Sequence, residues 1–119
     1  LRRGDTVGVA TEQQGLPVVQ VDRSLFSPTP HCLLRVYGDS MRDEGILDGD
    51  LIAVHRTSVA LNGQIVVARL EDEITVKQLR HEAGRITLLP RNPDYLPIEV
   101  PPGASFAIEG LYCGLVRRA

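Results

Sequence analysis

The stretch Gln64-Ile-Val-Val-Ala-Arg-Leu-Glu-Asp-Glu-Ile-Thr-Val-Lys-Gln-Leu79 decides the fold class. It holds two runs rich in β-branched residues, 64–70 and 73–79, and only Glu71-Asp72 separates them. A link of two residues is typical of a β-hairpin, and alternating side chains along each run suit a pleated strand. The stretch therefore predicts two antiparallel strands joined by a tight turn.

The rest of the chain repeats this pattern of short apolar runs between turn residues. Eleven glycines and eight prolines interrupt the 119 residues, and no apolar stripe continues over four helical turns. Further strands are predicted at residues 16–21, 32–36, 51–55, 85–89, 98–100 and 106–116. Because Gly110 and Gly114 lie inside the last of these, we expect that strand to be bent or bulged. The sequence thus predicts a mostly β fold, a single compact antiparallel domain.

Composition excludes several classes of function. Thirteen basic residues against fifteen acidic ones give a net charge of −2, which argues against a generally cationic binder of nucleic acid or membranes. No apolar run approaches the length of about 18 residues that a transmembrane helix needs, and no signal peptide opens the sequence. The two cysteines, Cys32 and Cys113, are expected to be buried reduced thiols. We expect a cytoplasmic protein without membrane attachment, and we assign it neither a metal nor a cofactor.

Gly38-Asp-Ser-Met-Arg-Asp43 contains the first candidate for chemistry. Ser40 followed by Asp43 three residues later fits the N-cap of a helix, which is a purely structural role. Alternatively, Ser40 is a nucleophile, because a turn between strand and helix exposes the hydroxyl and offers free amides that polarise a carbonyl. Gly38 would then let a substrate backbone come close. The three histidines show no spacing tied to Ser40, so a neutral, buried lysine is the other base to consider.

Lys77 is the only lysine in the sequence. The period of two along residues 73–79 places it on the same face as Thr75, whose hydroxyl could accept a hydrogen bond from the amine and aim it. A lone lysine on a strand is, however, more often a solvated edge residue. Neither Ser40 nor Lys77 alone decides between a structural and a catalytic role.

A series of motifs occurs in order along the chain. They are Val21-Asp-Arg-Ser-Leu-Phe26, Gly38-Asp-Ser-Met41, Gly45-Ile-Leu-Asp-Gly-Asp-Leu51, Asn62-Gly-Gln-Ile-Val-Val-Ala-Arg69, Glu73-Ile-Thr-Val-Lys77, Leu88-Leu-Pro-Arg-Asn92, Pro97-Ile-Glu-Val100 and Phe106-Ala-Ile-Glu-Gly110. Together they resemble the LexA family, SOS-response repressors whose C-terminal domain is a Ser-Lys self-cleaving peptidase. The interval of 37 residues from Ser40 to Lys77 also resembles the family's spacing.

This resemblance implies roles for individual residues. Ser40 would be the nucleophile, Lys77 the general base and Thr75 the residue that holds the lysine. The backbone amides of Asp39 and Ser40 would form the oxyanion hole. The resemblance also implies a curled, mostly antiparallel β domain that forms a homodimer. Its self-cleavage would be stimulated by the RecA–single-stranded-DNA filament, and would inactivate the repressor.

The sequence departs from the family pattern in two ways. The N-terminal winged helix-turn-helix is absent and Leu1 stands in place of a start methionine, so this chain by itself is not expected to bind operator DNA. The usual Ala-Gly scissile bond is also missing, and the nearest candidate is Arg3-Gly4. We therefore expect residues 1–20 to be an arm left from the cleavage region. Residues 21–119 would be the peptidase and dimerisation domain.

Two other functions remain open from the sequence. A UmuD-like polymerase accessory protein is processed by the same dyad, and its short N-terminal arm would make this chain nearly complete. A catalytically silent dimerisation domain would use Ser40 as a cap and Lys77 as a surface charge. Ala53-Val-His-Arg56 and Ile108-Glu-Gly110 resemble the repressors more than the UmuD-like proteins. The repressor is therefore the preferred interpretation.

Overall fold

Antiparallel strands are the main regular structure of the computed structural model, which describes residues 6–8 and 20–117. The strands are β1 (Thr6–Gly8), β2 (Gln20–Asp22), β3 (Cys32–Arg35), β4 (Leu51–Arg56), β5 (Ile65–Leu70), β6 (Glu73–Glu82), β7 (Arg85–Leu89), β8 (Ile98–Glu99) and β9 (Phe106–Val116). Strands β3 to β9 form one sheet in the order β3-β4-β9-β5-β6-β7-β8, and β1 pairs with β2 in a separate ribbon. Short 3₁₀ helices span Arg23–Leu25 and Arg42–Glu44. In this described part of the chain, no helix has the length and apolar character required to cross a bilayer.

The mostly β, antiparallel fold predicted from the sequence is confirmed. The predicted strands 85–89 and 106–116 have the observed bounds of β7 and β9, and β6 continues past its predicted end to Glu82. The hairpin at Glu71-Asp72 forms as expected, with Leu70 paired to Glu73. Strand β1 was not predicted, and residues 16–19 of the first predicted strand lie outside the described residues.

Strand β9 is an interior strand of the sheet and lies between β4 and β5. It is bulged on both sides, as its two glycines predicted: the register shifts between Ala53 and Val54 of β4, and again between Val67 and Ala68 of β5. Each shift sets an extra residue of β9 against its partner strand, which bends β9 and increases its local twist. The bulges therefore allow β9 to pair with β4 on one side and with β5 on the other over most of its length.

The hydrophobic core anchors the segment that leads from β3 to β4. Met41 and Ile46 belong to this segment, and both are buried, Met41 with only 2% of its surface exposed. They pack with Ile52 and Val54 of β4 and with Val67 of β5. Burying side chains of this size contributes about 1.5–3 kcal/mol each. The turn that carries Ser40 is thus held on the sheet by its own apolar neighbours.

Gly110 occupies a position where the sheet leaves no space for a side chain. A Cβ atom there would lie 2.5 Å from Val54 Cγ1 and 2.7 Å from the carbonyl oxygen of His55. The carbonyl belongs to the neighbouring strand and moves only if the strand moves. We expect Gly110→Ala to lower the free energy of unfolding by about 1–3 kcal/mol, measured by denaturant titration.

A double-mutant cycle with Val54→Ala tests the physical reason. Removing Val54 Cγ1 relieves one of the two clashes but leaves the carbonyl oxygen in place, so the double variant should lose less stability than the sum of the single variants. Additive losses, or an unchanged stability of Gly110→Ala, would contradict this account of β9.

Candidate active site

Ser40 lies in the turn between β3 and the 3₁₀ helix Arg42–Glu44, but it does not cap that helix. The N-cap residue is Met41, and no side chain makes a cap hydrogen bond there. The structural role considered for Ser40 is therefore wrong. Its Oγ atom instead lies 2.8 Å from the Nζ atom of Lys77. The fold thus brings together two residues that are 37 positions apart in sequence.

Lys77 is an interior residue rather than a solvated edge residue. Its strand β6 lies between β5 and β7, and only 7% of its surface is exposed. Three oxygen atoms surround its Nζ atom: Ser40 Oγ at 2.8 Å, Thr75 Oγ1 at 2.6 Å and the carbonyl oxygen of Val76 at 3.1 Å. Thr75 is therefore on the same face as the lysine and within hydrogen-bond distance, where the strand period placed it.

This arrangement suits a neutral amine as well as an ammonium ion. Burial lowers the pKa of Lys77 below its ordinary value of 10.5, because the charged form loses water. An ammonium group can donate one hydrogen to each of the three oxygens. A neutral amine has two hydrogens and one lone pair, so it can donate to Thr75 and Val76 while its lone pair accepts the hydroxyl hydrogen of Ser40. A serine hydroxyl held in this way is activated for attack.

Backbone amides beside Ser40 have no hydrogen-bond acceptor among the described residues, which leaves them suited to bind an anion. Within residues 6–8 and 20–117, no acceptor is found for the N–H groups of Asp39, Ser40 and Met41. The preceding residue, Gly38, has a φ of 83°, which favours glycine, and its own amide donates to Asp48 Oδ1 at 2.7 Å. Free amides next to a nucleophile have the chemistry of an oxyanion hole.

The carboxylate of Asp50 stabilises the segment that follows Ser40. Asp50 has 2% of its surface exposed and accepts hydrogen bonds from the Leu47 amide and from the guanidinium of Arg117. The Arg117 hydrogen bonds hold the pKa of Asp50 below its usual range. Arg117 also donates to the carbonyl oxygen of Gly45. These contacts connect the end of β9 to the loop between Ser40 and β4.

In the part of the chain that the structure describes, the histidines lie elsewhere than at the Ser40 hydroxyl, and no cluster of candidate metal ligands is found. Among the described residues, Ser40 Oγ has no histidine partner. His31 and His55 instead form a ring contact of 4.8 Å between their centroids, at the paired ends of β3 and β4. The same part of the chain contains no group of three or more histidine, cysteine or acidic residues that could hold a metal ion.

Comparison with known proteins gives this geometry its context. The family described as Peptidase S24-like matches residues 2–113. The chain belongs to the Peptidase S24-like family. It is 69% identical over 100 residues to the LexA repressor of Xylella fastidiosa strain M23, an alignment that covers 84% of this chain and 47% of that protein. It is 68% identical over 99 residues to LexA repressor 2 of Xanthomonas axonopodis pv. citri strain 306, covering 83% and 46%. The chain spans about half the length of the curated relatives it matches.

One part of this S24-like site was missed by the sequence reasoning. The loop after β7 clamps the Ser40 turn through backbone atoms: the Arg91 amide donates to Ser40 O at 2.8 Å, and the Asp43 amide donates to Arg91 O at 2.7 Å. Asn92 Nδ2 donates to Asp39 O at 2.9 Å. Arg91 and Asn92 stand in one of the motifs quoted above, but nothing in a polar loop segment indicates which strand or turn it contacts. The predicted bond Arg3-Gly4 lies outside the described residues.

The lowered pKa of Lys77 has a consequence for stability. Between the native pKa and 10.5 the unfolded chain binds more protons than the native state, so the contribution of Lys77 to stability rises with pH across that interval. Lys77→Met removes this titration. We therefore expect the stability of Lys77→Met relative to the wild type to fall as the pH is raised through the interval.

Denaturant titrations at several pH values from neutral to about 10.5 measure this difference. Arg80→Met, an exposed substitution on the same strand, is the matched control and should differ from the wild type by a constant amount. A constant difference for Lys77→Met would mean that the native environment does not perturb the amine.

Proposed function

We propose that this chain is the autoproteolytic and dimerisation domain of a LexA-type repressor, with Ser40 as nucleophile and Lys77 as general base. The observation that carries the proposal is the 2.8 Å contact between Lys77 Nζ and Ser40 Oγ in a buried setting. If Lys77 were only a surface charge, its amine would stay hydrated rather than buried. If Ser40 were only structural, its hydroxyl would not require an amine as hydrogen-bond partner. Membership of a peptidase family supports the same conclusion. The names of the matched relatives favour the repressor over the polymerase accessory protein.

The proposed reaction is acyl transfer from a peptide bond to Ser40. Neutral Lys77 takes the hydroxyl proton while Oγ bonds to the carbonyl carbon, and the carbonyl electrons move onto its oxygen. The amides of Asp39 and Ser40 donate hydrogen bonds to that oxyanion. When the carbon–nitrogen bond breaks, the ammonium of Lys77 returns the proton to the departing amine. Water then hydrolyses the ester, with Lys77 again acting as base.

Thr75 and Gly38 have supporting roles in this proposal. Thr75 accepts a hydrogen from Lys77 and so keeps the lone pair directed at Ser40. The positive φ of Gly38 turns the backbone towards the Ser40 turn and leaves open space beside it, since an added Cβ atom would meet nothing within 4 Å. A substrate backbone can approach on that side.

The wider context is also proposed from the family resemblance. Residues 1–20 would be an arm of the cleavage region, and residues 21–119 the peptidase and dimerisation domain. The partners would be a second copy of the chain and the RecA–single-stranded-DNA filament, in the cytoplasm. Operator DNA would be bound only through an N-terminal domain of the kind that the LexA family carries.

Substitution of either member of the dyad should abolish self-cleavage. In the full-length protein that contains this chain, we expect Ser40→Ala and Lys77→Ala each to remove almost all cleavage, because a nucleophile and its base act as a unit. Mass spectrometry after incubation at alkaline pH measures the products and locates the bond. Ser58→Ala and Arg80→Ala, both exposed positions, are the matched controls and should cleave at the wild-type rate. Normal cleavage by Lys77→Ala would refute the dyad.

The rate of self-cleavage should increase with pH. A protonated lysine has no lone pair and cannot take the Ser40 proton, so the rate follows the neutral fraction of Lys77. Since burial lowers the pKa of Lys77, the midpoint of the profile should lie below 10.5 and a plateau should follow. First-order rate constants from neutral to alkaline pH, with the fold monitored by circular dichroism, provide the measurement. A flat or falling profile of the folded protein is incompatible with a lysine base.

A further inference from the structure

We propose that Asn92 is a positioning residue that aims the backbone amide of Ser40 at the oxyanion of the reaction. Among the described residues, the Asn92 side chain makes no hydrogen bond to Ser40 Oγ or to Lys77. Its side chain acts on the peptide group that joins Asp39 to Ser40. The inference rests on the proposed function, because it assigns a task within that same site.

The geometry of a single peptide group carries the argument. Asn92 Nδ2 donates to the carbonyl oxygen of Asp39 at 2.9 Å. That carbonyl and the N–H of Ser40 belong to one planar trans unit, in which they point in opposite directions. Holding the oxygen on the Asn92 side therefore directs the Ser40 N–H away from it. This N–H is one of the amides for which the described residues offer no acceptor.

The Asn92 side chain is itself held in one orientation. Only 4% of its surface is exposed, and its Oδ1 atom accepts a hydrogen bond from the Asp94 amide at 3.0 Å. With both ends of the carboxamide engaged, the group cannot rotate without losing a buried hydrogen bond. The Arg91 amide, which donates to Ser40 O, fixes the next peptide group in the same way. Two consecutive peptide planes at the nucleophile are thus set by the loop after β7.

Loss of the hydrogen bond from Asn92 to Asp39 O should lower the rate of self-cleavage without changing the pKa of Lys77. The peptide group could then rotate, and the Ser40 amide would spend less time directed at the oxyanion. Removing an oxyanion donor outright costs about 10²–10³-fold in rate, and misplacement of a reacting group by about 1 Å costs about 10²-fold. Because Asn92 is not among the hydrogen-bond partners of Lys77, the pH midpoint of the reaction should not change.

Asn92→Asp is the sharpest test, because it replaces the NH₂ group of the side chain by an oxygen and keeps the size and shape of the side chain. Its carboxylate can still accept from the Asp94 amide, but it has no hydrogen to donate to Asp39 O and repels that oxygen. Asn92→Ala removes both contacts. Asn62→Ala is the control: it also removes an asparagine bonded to the backbone, since Asn62 accepts one hydrogen bond, from the His81 amide at 3.0 Å, and the described residues show no hydrogen bond between Asn62 and Ser40.

The experiment follows self-cleavage of the full-length protein as a function of pH, with thermal unfolding of every variant. We expect Asn92→Asp and Asn92→Ala to cleave about 10²-fold more slowly than the wild type, with an unchanged pH midpoint, while Asn62→Ala cleaves at the wild-type rate. A wild-type rate or a shifted midpoint for the folded Asn92→Asp variant would overturn the positioning role and leave the dyad standing. If Asn92→Asp does not fold, the rate and midpoint of Asn92→Ala decide in the same way. Absence of cleavage by the wild type itself would overturn both proposals.

Discussion

The burial of one amine is the constraint on which the rest of the site depends. Lys77 lies in an interior strand with almost no exposed surface, where an ammonium ion loses the stabilisation that water provides. Three oxygen atoms take the place of that water, two from Thr75 and Val76 of β6 and one from Ser40 in the neighbouring turn. They satisfy the charged amine when it is protonated and orient its lone pair when it is neutral. A single group of contacts therefore accommodates both protonation states that a proton-transfer residue must adopt.

The contact between Lys77 and Ser40 requires a rigid turn around Ser40. Three sets of interactions stabilise this turn. Met41 packs into the core between β4 and β5. Asp48 and Asp50 bind backbone amides of the same segment, at Gly38 and Leu47. The loop after β7 fixes the carbonyl oxygens of Asp39 and Ser40. Because each restraint acts on backbone or buried atoms, the hydroxyl and the neighbouring amides keep fixed relative positions, which is what preorganised catalysis needs.

The sequence by itself determined most of the strand content and which residues are candidates for the reacting groups. Alternation and turn chemistry along 64–79 are local properties, so the hairpin and most strands could be predicted from them. The two glycines of β9 predicted its bulges for the same reason. The single lysine of the chain, and the serine within Gly38-Asp-Ser-Met41, can be identified from the sequence directly. The family resemblance connected them before any distance was known.

Only the tertiary structure decided where these residues lie relative to one another. Local patterns allowed Ser40 to be a helix cap and Lys77 to be a solvated edge residue. Lys77 is not an edge residue, because β6 lies between β5 and β7. Ser40 is not a helix cap, because Met41 holds the N-cap position and the Ser40 hydroxyl lies against Lys77 instead. Asn92 was not assigned a role for the same reason. Its contact with Asp39 joins positions 53 residues apart, and hydrogen bonds over such separations depend on how the sheet assembles rather than on any pattern in the chain.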